Sequence, residues 1–228
     1  YDCSRMSTST VADILLQYLS RTIRRSAAHQ AVVVDTHDAV LSGSVVIPPH
    51  TLVDYTTGGA LQSARENRSL REVLPLRIFD PACGTGSILL AAYRHLQKSV
   101  GSSLTLDERR EVLRQSIYGL DMNRHAVAAA RMLLFLELVS SANEPVAAGT
   151  FSGMFHDVIG DLRHTVLSGN ALVGPEVAQE ESWMFCPTRE RHTLNPFSYP
   201  DQFAEIVASG GFDTVVCNPP EGPLEQRE

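Results

Sequence analysis

Arg77-Ile78-Phe79-Asp80-Pro81-Ala82-Cys83-Gly84-Thr85-Gly86-Ser87 decides the fold. Residues 77–80 read as a short buried strand. Ser87 to Ser99 reads as a helix, with Ile88, Leu89, Ala92 and Leu96 on one side. Between them, Gly84 and Gly86 let the backbone turn tightly and approach a ligand closely. Strand, glycine-rich turn and helix form the opening unit of a parallel α/β sheet. A Gly-x-Gly alone is equally a structural turn, so the surrounding chain supplies the context.

Downstream, Thr105-Leu106-Asp107-Glu108 has the capping-box form and opens a helix to about Ser116. Ile117 to Leu120 reads as a strand, Asn123 to Ser140 as a long apolar helix and Thr165 to Ser168 as a weak strand. Ala171 to Ser209 holds Pro175, Pro187, Pro196 and Pro200 and reads mostly as loop, with Asp201 to Ala208 a helical candidate. Phe212 to Cys217 is the last strand.

Upstream, Val11 to Arg25 has helical spacing, with Thr8, Ser9 or Thr10 available as its cap. For Ala31 to Asp35, strand and loop are both open. His50 to Thr57 starts a helix behind Pro48 and Pro49, with Gly58 and Gly59 as its end. The alternation predicts an α/β fold with a doubly wound, mostly parallel sheet, whose ligands lie beyond the carboxyl ends of the strands.

The composition is that of a globular domain, with 228 residues, 43% of them hydrophobic and 20% charged. A free-standing nucleic-acid binder carries a basic surplus. This chain has a net charge of −7, so any such affinity comes from a local patch or from protein outside it. Arginines cluster at 21, 24 and 25, at 65, 68 and 71, and at 189 and 191, which reads as solvated helix faces and loops. Cys3, Cys83, Cys186 and Cys217 form no CxxC pair and no zinc spacing, so reduced thiols and no metal site are expected. The apolar stretch Ala126 to Val139 is interrupted by Arg131 and Glu137, which argues against a membrane span. The chain starts at Tyr1 and stops soon after Pro220, and reads as an excerpt of a longer protein.

Three further segments carry chemistry. Tyr118-Gly119-Leu120-Asp121-Met122-Asn123 places an acid at the next strand end. There a carboxylate can accept from both ribose hydroxyls, although Asp121 serves equally as a helix N-cap. Met122 suits packing against a purine or ordinary core. Ser168-Gly169-Asn170-Ala171-Leu172 is a Gly-Asn turn after a strand. Phe212-Asp213-Thr214-Val215-Val216-Cys217-Asn218-Pro219-Pro220-Glu221 delivers an Asn held by two prolines. The Asn218 oxygen, with a neighbouring main-chain carbonyl, can accept from an NH2 group and orient its nitrogen for attack without a strong base.

In this order the segments resemble the N6-adenine DNA methyltransferases of restriction–modification systems. The motif order is the gamma type and is similar to type IIG and type I modification subunits. The resemblance covers roughly residues 47 to 221. It implies a Rossmann-like, class I methyltransferase domain over residues 47–228, incomplete after the Asn-Pro-Pro segment, behind a helical lead-in over residues 1–46. It assigns Asp80 and the backbone of Ala82, Cys83, Gly84, Thr85 and Gly86 to the amino-acid part of S-adenosyl-L-methionine. Asn170 falls where an Asp or Asn reaches the cofactor's adenine amine. Pro48-Pro49-His50-Thr51-Leu52-Val53 is similar to a Thr-Pro-x-x-Leu-Val segment and brings Pro49 to the cofactor site. Asn218, Pro219, Pro220 and Glu221 become the acceptor site for an adenine flipped out of double-stranded DNA.

The resemblance further implies a target-recognition region outside this chain, room for a fused or associated restriction or specificity subunit, no membrane, and a bacterial or archaeal cytoplasm. Two positions depart from the pattern. Pro48 stands where the family has Thr, and Glu221 where it has an aromatic that stacks on the target base. They keep open a catalytically weakened cofactor-binding scaffold. An RNA or protein amino-methyltransferase and a dehydrogenase-like nucleotide-binding fold also stay open.

Overall fold

The computed structural model describes residues 10–11, 14, 21–26, 30–35, 48–65, 74–100, 104–141, 148–179 and 194–219. Strands β1 (Arg21–Arg25) and β2 (Ala31–Asp35) form an antiparallel pair, with Ile23 opposite Val33. Thr10, Val11 and Ile14 are helical. The helical reading of Val11 to Arg25, and with it an all-helical lead-in, is therefore corrected at Arg21. A β-branched run, Val32 to Val34, offers that segment a pairing partner, and such pairing outweighs local helical spacing.

Helix α1 (His50–Ala64) runs through Gly58 and Gly59 rather than ending there. Both glycines stay helical, and a Cβ on Gly58 would meet the His95 ring at 3.1 Å. Close packing of α1 against the next helix is what the small residue serves. After α1 come β3 (Ile78–Asp80), α2 (Ser87–Val100), α3 (Leu106–Ser116), β4 (Ile117–Asp121) and α4 (Arg124–Ser140). Helix α5 (Ala148–Thr165) and β5 (Val166–Ser168) follow. A 3-10 turn (Pro175–Gln179), α6 (Tyr199–Gln202), α7 (Ala204–Ala208) and β6 (Thr214–Val215) complete the order. The last strand is thus shorter than Phe212 to Cys217. Among its described residues, the region 171–209, read mostly as loop, holds the 3-10 turn, α6 and α7, and Leu194 is helical too. The expected capping box opens α3: Thr105 Oγ1 accepts from Glu108 N at 3.3 Å, and Glu108 Oε2 accepts from Thr105 N at 2.7 Å.

The α/β class and the parallel sheet expected from the sequence are present. Strands β5-β4-β3-β6 lie side by side in that order, every pairing parallel. Alternate residues build two cores. Ile78, Ile117 and Val166 pack with α2, α4 and α5, where Leu89, Leu96, Leu133, Leu134 and Leu138 are fully buried. Each such leucine is worth roughly 1.5–3 kcal/mol of transfer free energy. Phe79, Tyr118 and Leu120 face the other way, against Phe197, Phe203 and Ile206. There Phe212 stacks on Phe79, with centroids 4.4 Å apart and planes 11° from parallel. Among the described residues no helix is long and apolar enough to cross a membrane.

Candidate functional site

The loop after β3 owes its shape to its own hydrogen bonds. Asp80 Oδ1 accepts from Ala82 N at 3.0 Å. Cys83 N donates to the Leu120 carbonyl of β4 at 3.0 Å, and Gly86 N to the Cys83 carbonyl at 2.7 Å. Gly84 and Gly86 have φ of 53° and 90°, the left-handed region that glycine occupies without strain. A Cβ on Gly86 would also sit 3.0 Å from that of Ala130, so the turn is pressed onto α4. The Cys83 side chain points into the core. Burial pushes its thiol well above the ordinary range, with Asp80 and Asp121 adding to the effect. Thr85 is buried and Ala82 half-buried.

Asp121 ties this loop to the neighbouring strand. Its Oδ2 accepts from Gly84 N at 2.8 Å and its Oδ1 from Asn123 N at 2.8 Å. Asn123, not Asp121, caps α4, accepting from His125 N and Ala126 N. Each Asp121 oxygen keeps a lone pair for a ligand hydroxyl. Burial raises its pKa, and the two backbone donors hold it down in part. Met122 follows directly and is half exposed.

Asp80 is 1% exposed and makes no ion pair among the described residues. Burial lifts its carboxyl to about 7, against the Ala82 N–H that lowers it, and the Asp121 charge lifts it further. A buried carboxylate without a cation is costly. Such a group fits a ligand that brings its own positive charge.

The Gly-Asn turn after β5 joins the same edge. Gly169 N donates to the Asp121 carbonyl at 3.0 Å. Asn170 Oδ1 accepts from Leu172 N at 3.0 Å, and Asn170 pairs with Pro196 in a parallel bridge. A Cβ on Gly169 would fall 2.5 Å from the Phe197 ring, so the glycine is set by that contact and not by the turn alone.

On the other side of β3, Val216 N donates to the Phe79 carbonyl at 3.0 Å. Cys217, Asn218 and Pro219 are exposed and continue past the strand end beside Asp80; partial desolvation raises the Cys217 pKa, and the Asp80 charge adds to it. Pro220 and Glu221 lie outside the described residues, as do Cys3 and Cys186. Helix α1 brings up Pro49. Val53 packs with Ile88, Ala91 and Val216, while Gly58 and Leu61 lie further along α2 and the core. The two helices therefore run the same way, with Pro49 at the loop-bearing end. Pro49 is exposed, and its carbonyl accepts from Leu52 N and Val53 N.

Asp80, Asp121, Asn170 and Asn218 thus end four adjacent strands on one edge of the sheet. Sequence reasoning gave no role to Asn195, Ser168 or Tyr199, which shape the Asn170 turn. Asn195 has φ 39°, and its carbonyl accepts from Asn170 N at 2.7 Å. The one local signal was an Asn before a proline, a residue that tolerates left-handed backbone.

Residues 60–171 match the family model described as MmeI, DNA-methyltransferase domain. The chain is 22% identical over 241 residues to the type II restriction enzyme and methyltransferase RM.Eco57I of Escherichia coli, covering 96% of this chain and 22% of that protein. It is 25% identical over 154 residues to the adenine-specific methyltransferase PglX of Streptomyces coelicolor, covering 64% and 12% respectively. The chain therefore spans a minor part of both relatives. The matched model contains the Gly-rich loop, Asp121 and Asn170, and stops before Asn218.

Proposed function

We propose, from this chain's kinship with restriction–modification adenine methyltransferases, that it carries a Rossmann-like, class I methyltransferase domain. The reaction is methyl transfer to the exocyclic N6 amine of adenine in DNA, within a restriction–modification or related defence system. The carrying observation is that Asp80, Asp121, Asn170 and Asn218 converge at the carboxyl edge of one parallel sheet. That is where open α/β sheets bind ligands.

The residues present fit S-adenosylmethionine. Asp80, buried without a cation, suits its ammonium or sulfonium charge. The Ala82–Gly86 backbone and the Pro49 end of α1 border the amino-acid part. Asp121 retains lone pairs for the ribose hydroxyls, Met122 offers an exposed apolar edge to the adenine, and Asn170 reaches its amine. When bound, the cofactor supplies an electrophilic methyl group.

At the acceptor side, the Asn218 oxygen and the Pro219 carbonyl accept from the target amine, so its lone pair is directed at the donor. Most of the acceleration then comes from alignment, which can supply roughly 7–11 kcal/mol. The target base reaches this edge only by leaving the helix. With a net charge of −7 on this chain, affinity for double-stranded DNA and choice of site fall to a target-recognition region outside it, with a restriction or specificity subunit fused or associated. The reading places the protein in the cytoplasm.

Calorimetric titration with S-adenosylmethionine and with NAD tests the cofactor: binding of the first alone is expected, and the reverse sinks the reading. Radiolabelled methyl transfer to DNA, RNA and protein acceptors tests the substrate, with DNA expected. Pro48 and Glu221 favour one second reading, a cofactor-binding scaffold with weakened catalysis. Under it, the intact protein binds cofactor and transfers no methyl group to any of the three.

A further inference from the structure

We propose that Asn195 is a positioning residue that fixes which nucleobase the Asn170 turn accepts, an inference that rests on the cofactor reading above. Asn170 is held from two sides. Its N–H donates to the Asn195 carbonyl at 2.7 Å, and its side-chain Oδ1 accepts from Leu172 N at 3.0 Å. The amide cannot turn over without breaking the second bond. It therefore presents Nδ2 as a donor and the remaining Oδ1 lone pair as an acceptor.

The register of this turn comes from the segment 195–199 packed along it. Asn195 Nδ2 donates to Ser168 Oγ at 3.3 Å, Phe197 N donates to the Val173 carbonyl at 2.8 Å, and the Tyr199 hydroxyl donates to the Ala171 carbonyl at 3.2 Å. Asn195 supports this by standing at φ 39°, which Asn and Gly adopt readily and a β-branched residue does not.

The chemical consequence is selectivity between two purines of nearly equal size. Adenine shows an acceptor, N1, beside a donor, the N6 amine. That edge matches the pinned amide. Hypoxanthine reverses the pair, with O6 accepting and N1–H donating, and it matches only an amide turned the other way. The pinned Asn170 thus accepts adenine and rejects a 6-oxo purine. Asn195 enforces the choice without touching the base.

The test is calorimetry on the full chain with S-adenosylhomocysteine and S-inosylhomocysteine, comparing wild type, Asn195→Gly, Asn195→Val and Ser168→Ala. The wild type should bind the adenine compound at least roughly tenfold more tightly, the scale of one lost hydrogen bond with a polar group left unmatched. Asn195→Gly, which reaches the same φ but loses the bond to Ser168 Oγ, should lower that ratio no further than Ser168→Ala does. Asn195→Val should bring the two affinities to within about threefold of each other, a loss specific to the base that general destabilisation does not produce. Ser168→Ala should reduce the ratio in the same direction, and it serves if Asn195→Val fails to fold. An unchanged ratio in both Asn195→Val and Ser168→Ala overturns the inference alone. A wild type that binds neither compound overturns the cofactor reading, and this inference with it.

Discussion

Asp121 stands on the strand beside Asp80, and its charge adds to the burial that lifts the Asp80 carboxyl from 3.8 to about 7. A carboxyl raised on folding keeps its proton between those two values, while the unfolded chain has already lost it. Folded stability from this group is therefore greatest below pH 3.8 and falls as pH rises toward about 7. The shift corresponds to roughly 4 kcal/mol at most. Asp80→Asn should flatten the decline in urea-unfolding stability measured in ligand-free protein between about pH 4 and 7. An equal slope in wild type and variant would show that Asp80 ionises normally.

On the proposed cofactor reading, the same carboxyl should set the pH dependence of cofactor affinity. A cationic ligand favours ionised Asp80, so its affinity should rise with pH and level off above about 7. Below that point the dissociation constant should change by up to about tenfold per pH unit. Asp80→Asn should bind more weakly and lose the dependence. Calorimetry at several pH values provides the check.

Gly86 combines φ 90° with a would-be Cβ 3.0 Å from that of Ala130. Gly86→Ala should destabilise the fold by about 1–3 kcal/mol, through backbone strain and overpacking of α4. Chemical denaturation measures it directly. A neutral change would mean that α4 retreats freely.

Asn218 is exposed at the strand end and takes no part in the described core. Asn218→Ala should leave thermal stability and cofactor affinity near wild type while lowering methyl transfer roughly 100-fold, the scale of a misaligned nucleophile. Parallel calorimetry and single-turnover kinetics separate the two effects.

Glu221 should limit activity because a carboxylate cannot stack on an extruded base. Glu221→Tyr should restore stacking worth roughly 1–3 kcal/mol and raise the methylation rate accordingly, some five- to hundredfold. Robust transfer by the wild type, unchanged by Tyr, would remove stacking from the account.

The parts of the fold that were legible in the sequence were those encoded locally. The Asp80–Gly86 turn, the Thr105/Glu108 capping box and the apolar stripe of α2 each carry their signal within a few residues. The parts that were not legible depend on distant partners. Arg21–Arg25 is a strand because Ala31–Asp35 pairs with it. Gly58 stays helical because His95 lies against it. Helix α5 went unread because Gly153 and Gly160 dilute its pattern, although Val158 and Leu162 bury one face. At the site, residue types suggested Asp80, Asp121, Asn170 and Asn218. The hydrogen bonds that couple Asp121 to Gly84 and Asn195 to Asn170 span 37 and 25 positions, beyond any local motif.

Strand β3 has a role beyond its three residues. It ends in Asp80, and the Phe79 carbonyl one residue earlier carries the Val216 N–H from which Cys217 and Asn218 hang. The proposed donor side and acceptor side are thus both tied to this one strand. A displacement of β3 would therefore be passed to both ends through the same strand. The proposed methyl transfer would thus rest on a single short strand for the placing of both reactants.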